Sequence, residues 1–353
     1  MVDVVIATLL CGRFVGVQLL ANPHPFDYII NSPNVCAGDE EIYIIAYVHT
    51  APDHYKRRVV IRQTWGDSSY YNITLRVVFV MGRGAAAAAD ERSRDVQRAL
   101  EFEAAQYGDI VQEDFLDTYR NLTYKGVAAL RWIARYCPRA RYVLKTDDDI
   151  FVNAFNLLRH LSRLDRRART PGGDGGMSAA APRGLLLCLV WYSMTVMREG
   201  KWKVSRDEWP DDSYPTYCSG SAFLMTTDVA VAMYNVSYEV PFFWVDDFYI
   251  TGLLPLKLGP SVVRHTQFIS AYVLNGRLLE NKFTGPQWYQ YVFSHVHDLN
   301  AIQAVWKTVV RLARGEIQPT IPYALPGHLP KVTQPPPKPA PLPAKDKKNK
   351  PAR

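Results

Sequence analysis

Short apolar runs alternate along the first half of the chain with segments in which apolar residues recur every three or four positions. The runs are rich in β-branched and aromatic residues, which is typical of buried strands. They predict strands over residues 41–49, 76–81, 109–112 and 142–144. The periodic segments between them predict helices over residues 53–65, 90–107 and 121–136. This alternation implies an α/β fold, with a mostly parallel sheet flanked by helices on both faces.

The two ends of the chain differ in composition from this core. Residues 1–40 include a largely apolar stretch interrupted by Arg13, and an arginine near the centre of a membrane span costs about 2.5–3.5 kcal/mol. The stretch therefore fits a degenerate signal anchor, a signal-peptide core or the remnant of a truncated gene model. Residues 321–353 are rich in proline and lysine, which predicts a disordered tail.

Residues 41–320 are predicted to form a single folded domain. Within it, residues 163–184 are rich in arginine and glycine and have no apolar period. This composition predicts a flexible surface loop.

The net charge of +7 is concentrated in the tail, which holds six of these charges after Pro330. Asp346 stands there against seven cations: Lys331, Lys338, Lys345, Lys347, Lys348, Lys350 and Arg353. The rest of the chain is nearly neutral, and we therefore expect no nucleic-acid partner for the folded domain.

The chain has five cysteines, and none is spaced as a CxxC pair, which disfavours a structural zinc site. In an oxidising compartment Cys137, Cys188 and Cys218 can supply a disulfide, but the sequence leaves the pairing open. Three Asn-x-Ser/Thr sequons permit N-glycosylation on a secretory route; they begin at Asn72, Asn121 and Asn235.

Asp147, Asp148 and Asp149 follow the predicted strand at 142–144, at an edge where parallel sheets bind ligands. Three adjacent carboxylates repel one another, and a divalent cation such as Mn²⁺ or Mg²⁺ relieves the repulsion. Such a cation can bridge the protein and a diphosphate leaving group. A solvated turn that caps the next helix is the alternative interpretation.

A second acidic pair, Asp246 and Asp247, lies between aromatic segments. Partial desolvation raises the pKa of a carboxyl group and makes its carboxylate a better base. The alternative is a helix N-cap whose charge favours the helix dipole.

Five motifs in the chain resemble, in order, those of the β1,3-glycosyltransferase family, the inverting galactosyl- and N-acetylglucosaminyltransferases. They read RVVIRQTWG at 58–66, EDFLDTYRNLTYK at 113–125, KTDDDIFVN at 145–153, YPTYCSG at 214–220 and DDFYITG at 246–252. The resemblance implies a GT-A (Rossmann-like) fold with a single catalytic domain. It also implies a UDP-sugar donor, a glycan acceptor and Mn²⁺ (or Mg²⁺) as cofactor.

The resemblance implies roles for individual residues. Asp149 is the expected metal ligand, with Asp147 as a second candidate ligand that lies nearer the nucleotide ribose. His295 completes the metal site, with His297 and His265 as further candidates. Asp247 is the expected catalytic base. Residues expected to bind the nucleotide sugar are Asp148, Arg58, Arg62, Lys125 and Lys145. Residues expected in the acceptor or donor pocket are Trp244, Asp246, Tyr217 and Gly220.

The chain also departs from the family pattern. Asp246 stands where glutamate is common, and residues 221–223 replace a more glycine-rich stretch. The donor sugar, galactose or N-acetylglucosamine, therefore stays open. The predicted function is an inverting hexosyltransferase that forms a β1,3 linkage in protein or lipid glycosylation, anchored as a single-pass type II protein in the Golgi membrane with a lumenal catalytic domain. The alternatives are another metal-dependent nucleotide-sugar enzyme, metal-dependent phosphodiester cleavage and a non-catalytic secretory glycan-binding relative.

Overall fold

The structure is a computed structural model that describes residues 21–22, 24, 26–38, 40–84, 91–168, 170–171, 177–178, 182–268 and 290–319. The apolar N-terminal stretch and the Pro/Lys-rich tail of the predictions lie outside these residues. Across the described ranges, every helix is too short or too polar to cross a membrane.

The chain alternates strands and helices through its first half, as the apolar pattern predicts. The strands are β1 Tyr28–Ile30, β2 Ile44–His49, β3 Leu75–Arg83, β4 Ile110–Leu116, β5 Tyr142–Asp147, β6 Ile150–Val152, β7 Thr170–Pro171, β8 Met177–Ser178, β9 Leu185–Cys188, β10 Val190–Trp191, β11 Tyr217–Cys218, β12 Ala222–Thr226, β13 Arg264–Gln267 and β14 Phe293–His295. The helices are α1 Tyr55–Gln63, α2 Glu91–Tyr107, α3 Leu122–Tyr136, α4 Ala154–Ala168, α5 Thr227–Ser237, α6 Asp246–Phe248, α7 Leu254–Leu258 and α8 Leu299–Ala313. A π-helical turn, Tyr249–Leu253, joins α6 to α7.

Eight strands form the central sheet in the order β1-β4-β3-β2-β5-β12-β9-β13. The four inner strands β4, β3, β2 and β5 are parallel, and β12 joins β5 in the antiparallel direction. The register places His49 beside Asp147, so the carboxyl ends of β2 and β5 meet at one edge. The predicted GT-A-type sheet is confirmed.

Both faces of the sheet are covered, which explains why all six residues of β2 are buried. Helices α3 and α5 pack on one face with Ile45 and Tyr47, while α1, α4 and α8 pack on the other with Ile44 and Ala46. Successive β2 side chains point to opposite faces, so each layer receives alternate residues.

Helix α4 extends through Ala168, so residues 163–168 of the predicted flexible loop are helical. The prediction of a loop from Arg163 onward is wrong for these residues. Leu157 and Leu161 are buried and Leu164 is partly buried, which continues the apolar stripe. Arg166 and Arg167 lie in the last turn, where cations favour the helix dipole.

Two disulfides, Cys36–Cys137 and Cys188–Cys218, connect parts of the fold that the sequence alone did not pair. The first ties the segment before β2 to the end of α3. The second ties β9 to β11, two residues before Gly220. Cys11 lies outside the described residues.

Candidate active site

The aspartate triplet forms the turn between β5 and β6, and its three carboxylates point to different partners. Asp147 ends β5, and its Oδ1 accepts a hydrogen bond from Lys145 Nζ at 2.6 Å. Burial in the cleft raises the pKa of Asp147 to about 6, although the Lys145 ammonium opposes the rise. Lys145 also donates to the carbonyl of Gly220, so one cation connects β5 with the segment after β11.

Asp148 is turned toward the loop between β2 and α1. Its Oδ2 accepts hydrogen bonds from Thr50 Oγ1 and His54 Nδ1, both at 2.6 Å. Its backbone N–H donates to His49 O at 3.1 Å. The hydrogen bond to Asp148 raises the pKa of His54. The side chain is buried, and these contacts fix the turn rather than presenting the carboxylate to a ligand.

Asp149 faces β14, which pairs antiparallel with β6 and sets His295 opposite Ile150. Val296 N–H donates to Asp149 O at 2.8 Å, and His295 Nδ1 lies 3.5 Å from Asp149 Oδ2. His297 Nδ1 lies 3.9 Å from the same oxygen. Ligand atoms of these three residues all lie within 4.8 Å of one another.

This Asp149–His295–His297 group fits a divalent cation. His295 Nδ1 is buried and has no hydrogen-bond partner among the described residues, which is expected of an atom that awaits a ligand. One carboxylate with two imidazoles suits Mn²⁺ better than Mg²⁺, which prefers oxygen ligands. His265, the third candidate histidine, lies elsewhere, with its Nε2 2.6 Å from Thr251 O. Asp147 is directed to Lys145 and lies outside the group.

Asp246 and Asp247 form the first turn of α6. Asp247 Oδ1 accepts a hydrogen bond from Phe248 N–H at 2.8 Å. Burial raises the pKa of Asp247 to about 7, and the neighbouring Asp246 adds to the rise. Burial also raises the pKa of Asp246, against the pull of Lys145. Asp247 therefore has the environment of a carboxylate base poised near neutral pH.

Gly220 approaches Asp247 so closely that only glycine fits there. A Cβ at this position would lie 2.8 Å from Asp247 Cβ and 3.0 Å from Oδ2. The backbone of Gly220 therefore lies directly against Asp247, and its role in a pocket stays a prediction.

The other predicted cations are also held in ion pairs, as Lys145 is with Asp147. Lys125 Nζ is buried, 2.9 Å from Asp117 Oδ1, and it donates to Thr50 O at 2.6 Å. Arg58 donates to both carboxylate oxygens of Glu103, at 2.8 and 2.7 Å, and to the carbonyls of the β2–α1 loop.

Arg62 joins the same buried network as Arg58. It pairs with Glu103 at 2.7 Å and with Asp109 at 2.8 Å, and its guanidinium lies over the Tyr107 ring. The ion pairs and hydrogen bonds of these three cations support the β2–α1 loop that holds Asp148. Direct phosphate contact by Arg58, Arg62 and Lys125 stays a prediction.

The predicted aromatic pocket residues are largely covered. Trp244 is 7% exposed, its Nε1 donates to Glu208 Oε1 at 3.1 Å, and the Arg120 guanidinium lies 4.4 Å from its ring. Tyr217 is buried and packs edge-on against Phe248. Both rings support the segment that carries Asp247.

The three sequons differ in accessibility. Asn72 lies in an exposed bend and Asn235 on the exposed side of α5. Asn121 is half-buried, and its amide donates to Leu116 O at 2.8 Å. Glycosylation at the three positions stays a prediction.

Several residues at the site did not emerge from the sequence. Thr50 and His54 bind Asp148, and both lie just beyond the carboxyl end of β2. The rule that ligands meet strand ends would have selected this loop. Tyr119 and Trp202 also lie at the site, where Trp202 Nε1 donates a hydrogen bond of 2.6 Å to Tyr119 OH. The two residues are 83 positions apart, so no local sequence pattern predicts their contact.

The aspartate triplet at the carboxyl edge of the inner parallel strands, with Asp247 nearby against Gly220, is an arrangement that fits a glycosyltransferase. The chain belongs to the galactosyltransferase family, whose family model matches residues 56–266. It is thus a hexosyltransferase.

Sequence relatives agree with this assignment. Mouse and human β1,3-galactosyltransferase 1 are each 33% identical to the chain over 250 residues, covering 70% of both chains. Human β1,3-galactosyltransferase 2 is 32% identical over 241 residues, covering 68% of this chain and 53% of its own.

Solved structures resemble the chain only distantly. A glycosyltransferase involved in the glycosylation of the major capsid of PBCV-1 has a TM-score of 0.37 at 10% identity, covering 75% of this chain and 98% of its own. The galactosyltransferase LgtC, with donor and acceptor sugar analogues, has a TM-score of 0.34 at 13% identity, covering 78% of this chain and 100% of its own. Likenesses of this size carry no argument about the reaction.

Proposed function

We propose that this protein transfers galactose from UDP-galactose to a glycan hydroxyl, with inversion at the anomeric carbon and formation of a β1,3 linkage. The half-buried carboxylate of Asp247, which lies against Gly220, is the observation that carries the proposal, since partial burial raises its pKa and makes it a better base. The names of the relatives favour galactose over N-acetylglucosamine.

In the proposed reaction, Asp247 accepts the proton of the acceptor hydroxyl as that oxygen attacks C1 of the sugar. The bond between C1 and the diphosphate oxygen breaks, and UDP leaves with the electron pair. One carboxylate is sufficient because attack and departure occur on opposite faces of the sugar in a single displacement.

The proposed cofactor is Mn²⁺, held by Asp149 and His295 with His297 at the exposed side. Bound there, the cation would neutralise charge on the departing diphosphate. Lys145 is positioned to hold Asp147 toward the nucleotide, and Asp148 keeps the turn in register with β2.

We place the catalytic domain in the Golgi lumen as part of the same proposal. Disulfides persist in oxidising compartments, and two connect described parts of this chain. The exposed sequons Asn72 and Asn235 fit the same route. Membrane anchoring through residues 1–40 stays a prediction.

The alternative is a glycan-binding relative without catalysis. A binding protein needs no proton acceptor, so a carboxyl group at Asp247 whose pKa is raised by burial disfavours this alternative. The two functions make opposite predictions for UDP release.

The test is release of UDP by the full chain with Mn²⁺, using UDP-galactose and UDP-N-acetylglucosamine with methyl β-glycosides as acceptors. We expect acceptor-dependent release from UDP-galactose, lost on chelation and reduced about 10²–10⁴-fold in Asp247→Asn. Asp95→Asn, on α2 with a side chain that is 61% exposed, is the matched control and should behave as wild type. Glycan binding without UDP affinity or UDP release would favour the alternative.

A further inference from the structure

Three aromatic side chains, Trp202, Tyr119 and Trp244, form a row that leads from solvent toward the catalytic carboxylates. Trp202 Nε1 donates a hydrogen bond to Tyr119 OH at 2.6 Å. The Tyr119 and Trp244 ring centroids are 6.4 Å apart. Trp244 precedes Asp246 by two residues, so the inner end of this aromatic row adjoins the start of α6.

The outer two rings are exposed, although they are held in place. Trp202 is 51% exposed and Tyr119 is 44% exposed. The Lys201 ammonium lies over one face of each ring, 4.6 Å from the Tyr119 ring centroid and 5.5 Å from that of Trp202, so a ligand would displace it or bind the opposite faces. Single exposed apolar side chains need no explanation. Trp202 and Tyr119 are not single exposed side chains of this kind, because a hydrogen bond joins them and they lie beside the catalytic site.

The loop that carries Trp202 is rigidly tied. Arg198 donates hydrogen bonds to four backbone carbonyls of that loop, those of Val204, Ser205, Trp209 and Asp211. Glu208 binds both Arg120 and the Trp244 indole, which joins the loop to the inner end of the row. The exposed rings are therefore preorganised, which lowers the entropic cost of binding.

The carboxylates of Asp246 and Asp247 also act electrostatically on the aromatic row. Burial raises the pKa of Tyr119, and the charges of Asp246 and Asp247 add to the rise, so the hydroxyl lies within reach of their field. Trp244 itself offers little surface, because Arg120 covers one face of its ring. An incoming sugar therefore meets Tyr119 and Trp202 first.

We propose that Trp202 and Tyr119 form the binding platform for the acceptor glycan, a β-linked hexoside whose apolar C–H face stacks on the two rings. Aromatic rings bind such faces through buried apolar area and weak C–H contacts, while Lys201 and Glu208 meet the sugar hydroxyls. This proposal rests on the proposed transferase function and supplies the acceptor site for it. Stacking at the outer end of the row directs a hydroxyl inward to Asp247.

The kinetic test compares Trp202→Ala and Trp202→Phe with wild type in the full chain with Mn²⁺. We expect Trp202→Ala to raise the KM for methyl β-N-acetylglucosaminide or methyl β-galactoside about tenfold, equivalent to about 1.4 kcal/mol. The KM for the UDP-sugar and the acceptor-independent release of UDP should not change. Trp202→Phe keeps a ring and should recover most of the affinity. Phe102→Ala removes a 77% exposed ring on α2 and serves as the control.

A titration of tryptophan fluorescence with the same glycosides in the presence of UDP tests the platform without turnover. Wild type should show a saturable change in fluorescence. The change should be lost in Trp202→Phe, because the indole that reports binding is removed, and it should be retained in Phe102→Ala. Equal glycoside affinity in wild type and Trp202→Ala, or no glycoside binding by wild type, would overturn the platform. Failure of UDP release with normal glycoside binding would count against the transferase reaction and leave the platform standing.

Discussion

The groups around Asp247 act in opposite directions on the pKa of its carboxyl group. Burial and the charges of Asp246 and Asp147 raise its pKa, while Phe248 N–H and the Lys145 ammonium lower it. Burial is the largest of these influences, so the pKa lies near 7 instead of near the usual value for aspartate.

The pH dependence of the reaction follows from this balance. The pKa of Asp247 is about 7. At a pH below this value Asp247 is protonated and cannot accept a proton, so kcat/KM should fall as the pH decreases through it. Asp246→Asn removes a neighbouring negative charge, which lowers the pKa of Asp247 and moves the acid limb to lower pH. The measurement is the pH profile of acceptor-dependent UDP release. An acid limb at the same pH in both proteins would contradict this assignment.

Gly220→Ala should disturb the same carboxylate from the opposite side. The added Cβ would meet Asp247 at 2.8 Å, and the resulting displacement should reduce kcat about 10²-fold. Mn²⁺ affinity should be unchanged, because Asp149, His295 and His297 lie at the ends of β6 and β14. Gly84→Ala, where the added Cβ has no neighbour within 4 Å, is the control. A normal kcat in Gly220→Ala would show that this close approach is not needed.

At the scale of elements, the pairing of β14 with β6 brings together the residues of the Asp149–His295–His297 group. These two strands are separated by more than 130 positions in the sequence, and their register places His295 next to the start of β6. The orphaned Nδ1 of His295 and the carboxylate of Asp149 then face one another across the pair.

Removal of His295 should weaken Mn²⁺ binding. We expect His295→Ala and Asp149→Asn each to reduce Mn²⁺ affinity in the presence of UDP by at least about tenfold. His297→Ala should have a smaller effect, because that side chain is 79% exposed. His265→Ala should have none, because this ring lies against Thr251 O. Electron paramagnetic resonance of free Mn²⁺ measures all four, and equal affinity in His295→Ala and wild type would exclude the group.

At the scale of the molecule, two disulfides connect the sheet to its surroundings. Cys36–Cys137 spans 101 positions, and Cys188–Cys218 spans 30. Both restrict the unfolded chain, and the longer loop restricts it more. The shorter one additionally lies beside the segment that leads to Gly220.

Paired Cys→Ala variants should separate stability from activity. Each pair of substitutions should lower the free energy of unfolding by about 2–5 kcal/mol, and removal of Cys36–Cys137 should cost about 1 kcal/mol more. Removal of Cys188–Cys218 should also reduce UDP release, because β11 positions Gly220 and through it Asp247. Denaturant unfolding and UDP release in the same samples measure both. Equal activity of the two variants would refute the connection between this disulfide and the base.

The sequence by itself determined the inner sheet, because alternating apolar runs and periodic helices can be buried in few other ways. It also identified the two acidic segments, since three adjacent carboxylates and a carboxylate pair between aromatics are visible locally. The end of α4 was misjudged, because the arginines that suggested a loop instead favour the helix terminus.

Only the tertiary structure decided which of these residues meet. Asp147, Asp148 and Asp149 are equivalent in the sequence, yet they face Lys145, the β2–α1 loop and β14 respectively. The disulfide pairs, the positions of His297 beside Asp149 and of His265 against Thr251, and the contact of Trp202 with Tyr119 depend on partners that are not visible in the local sequence. Periodicity reports which face of an element is buried, whereas the packing of one element against another sets the distances between side chains on which chemistry depends.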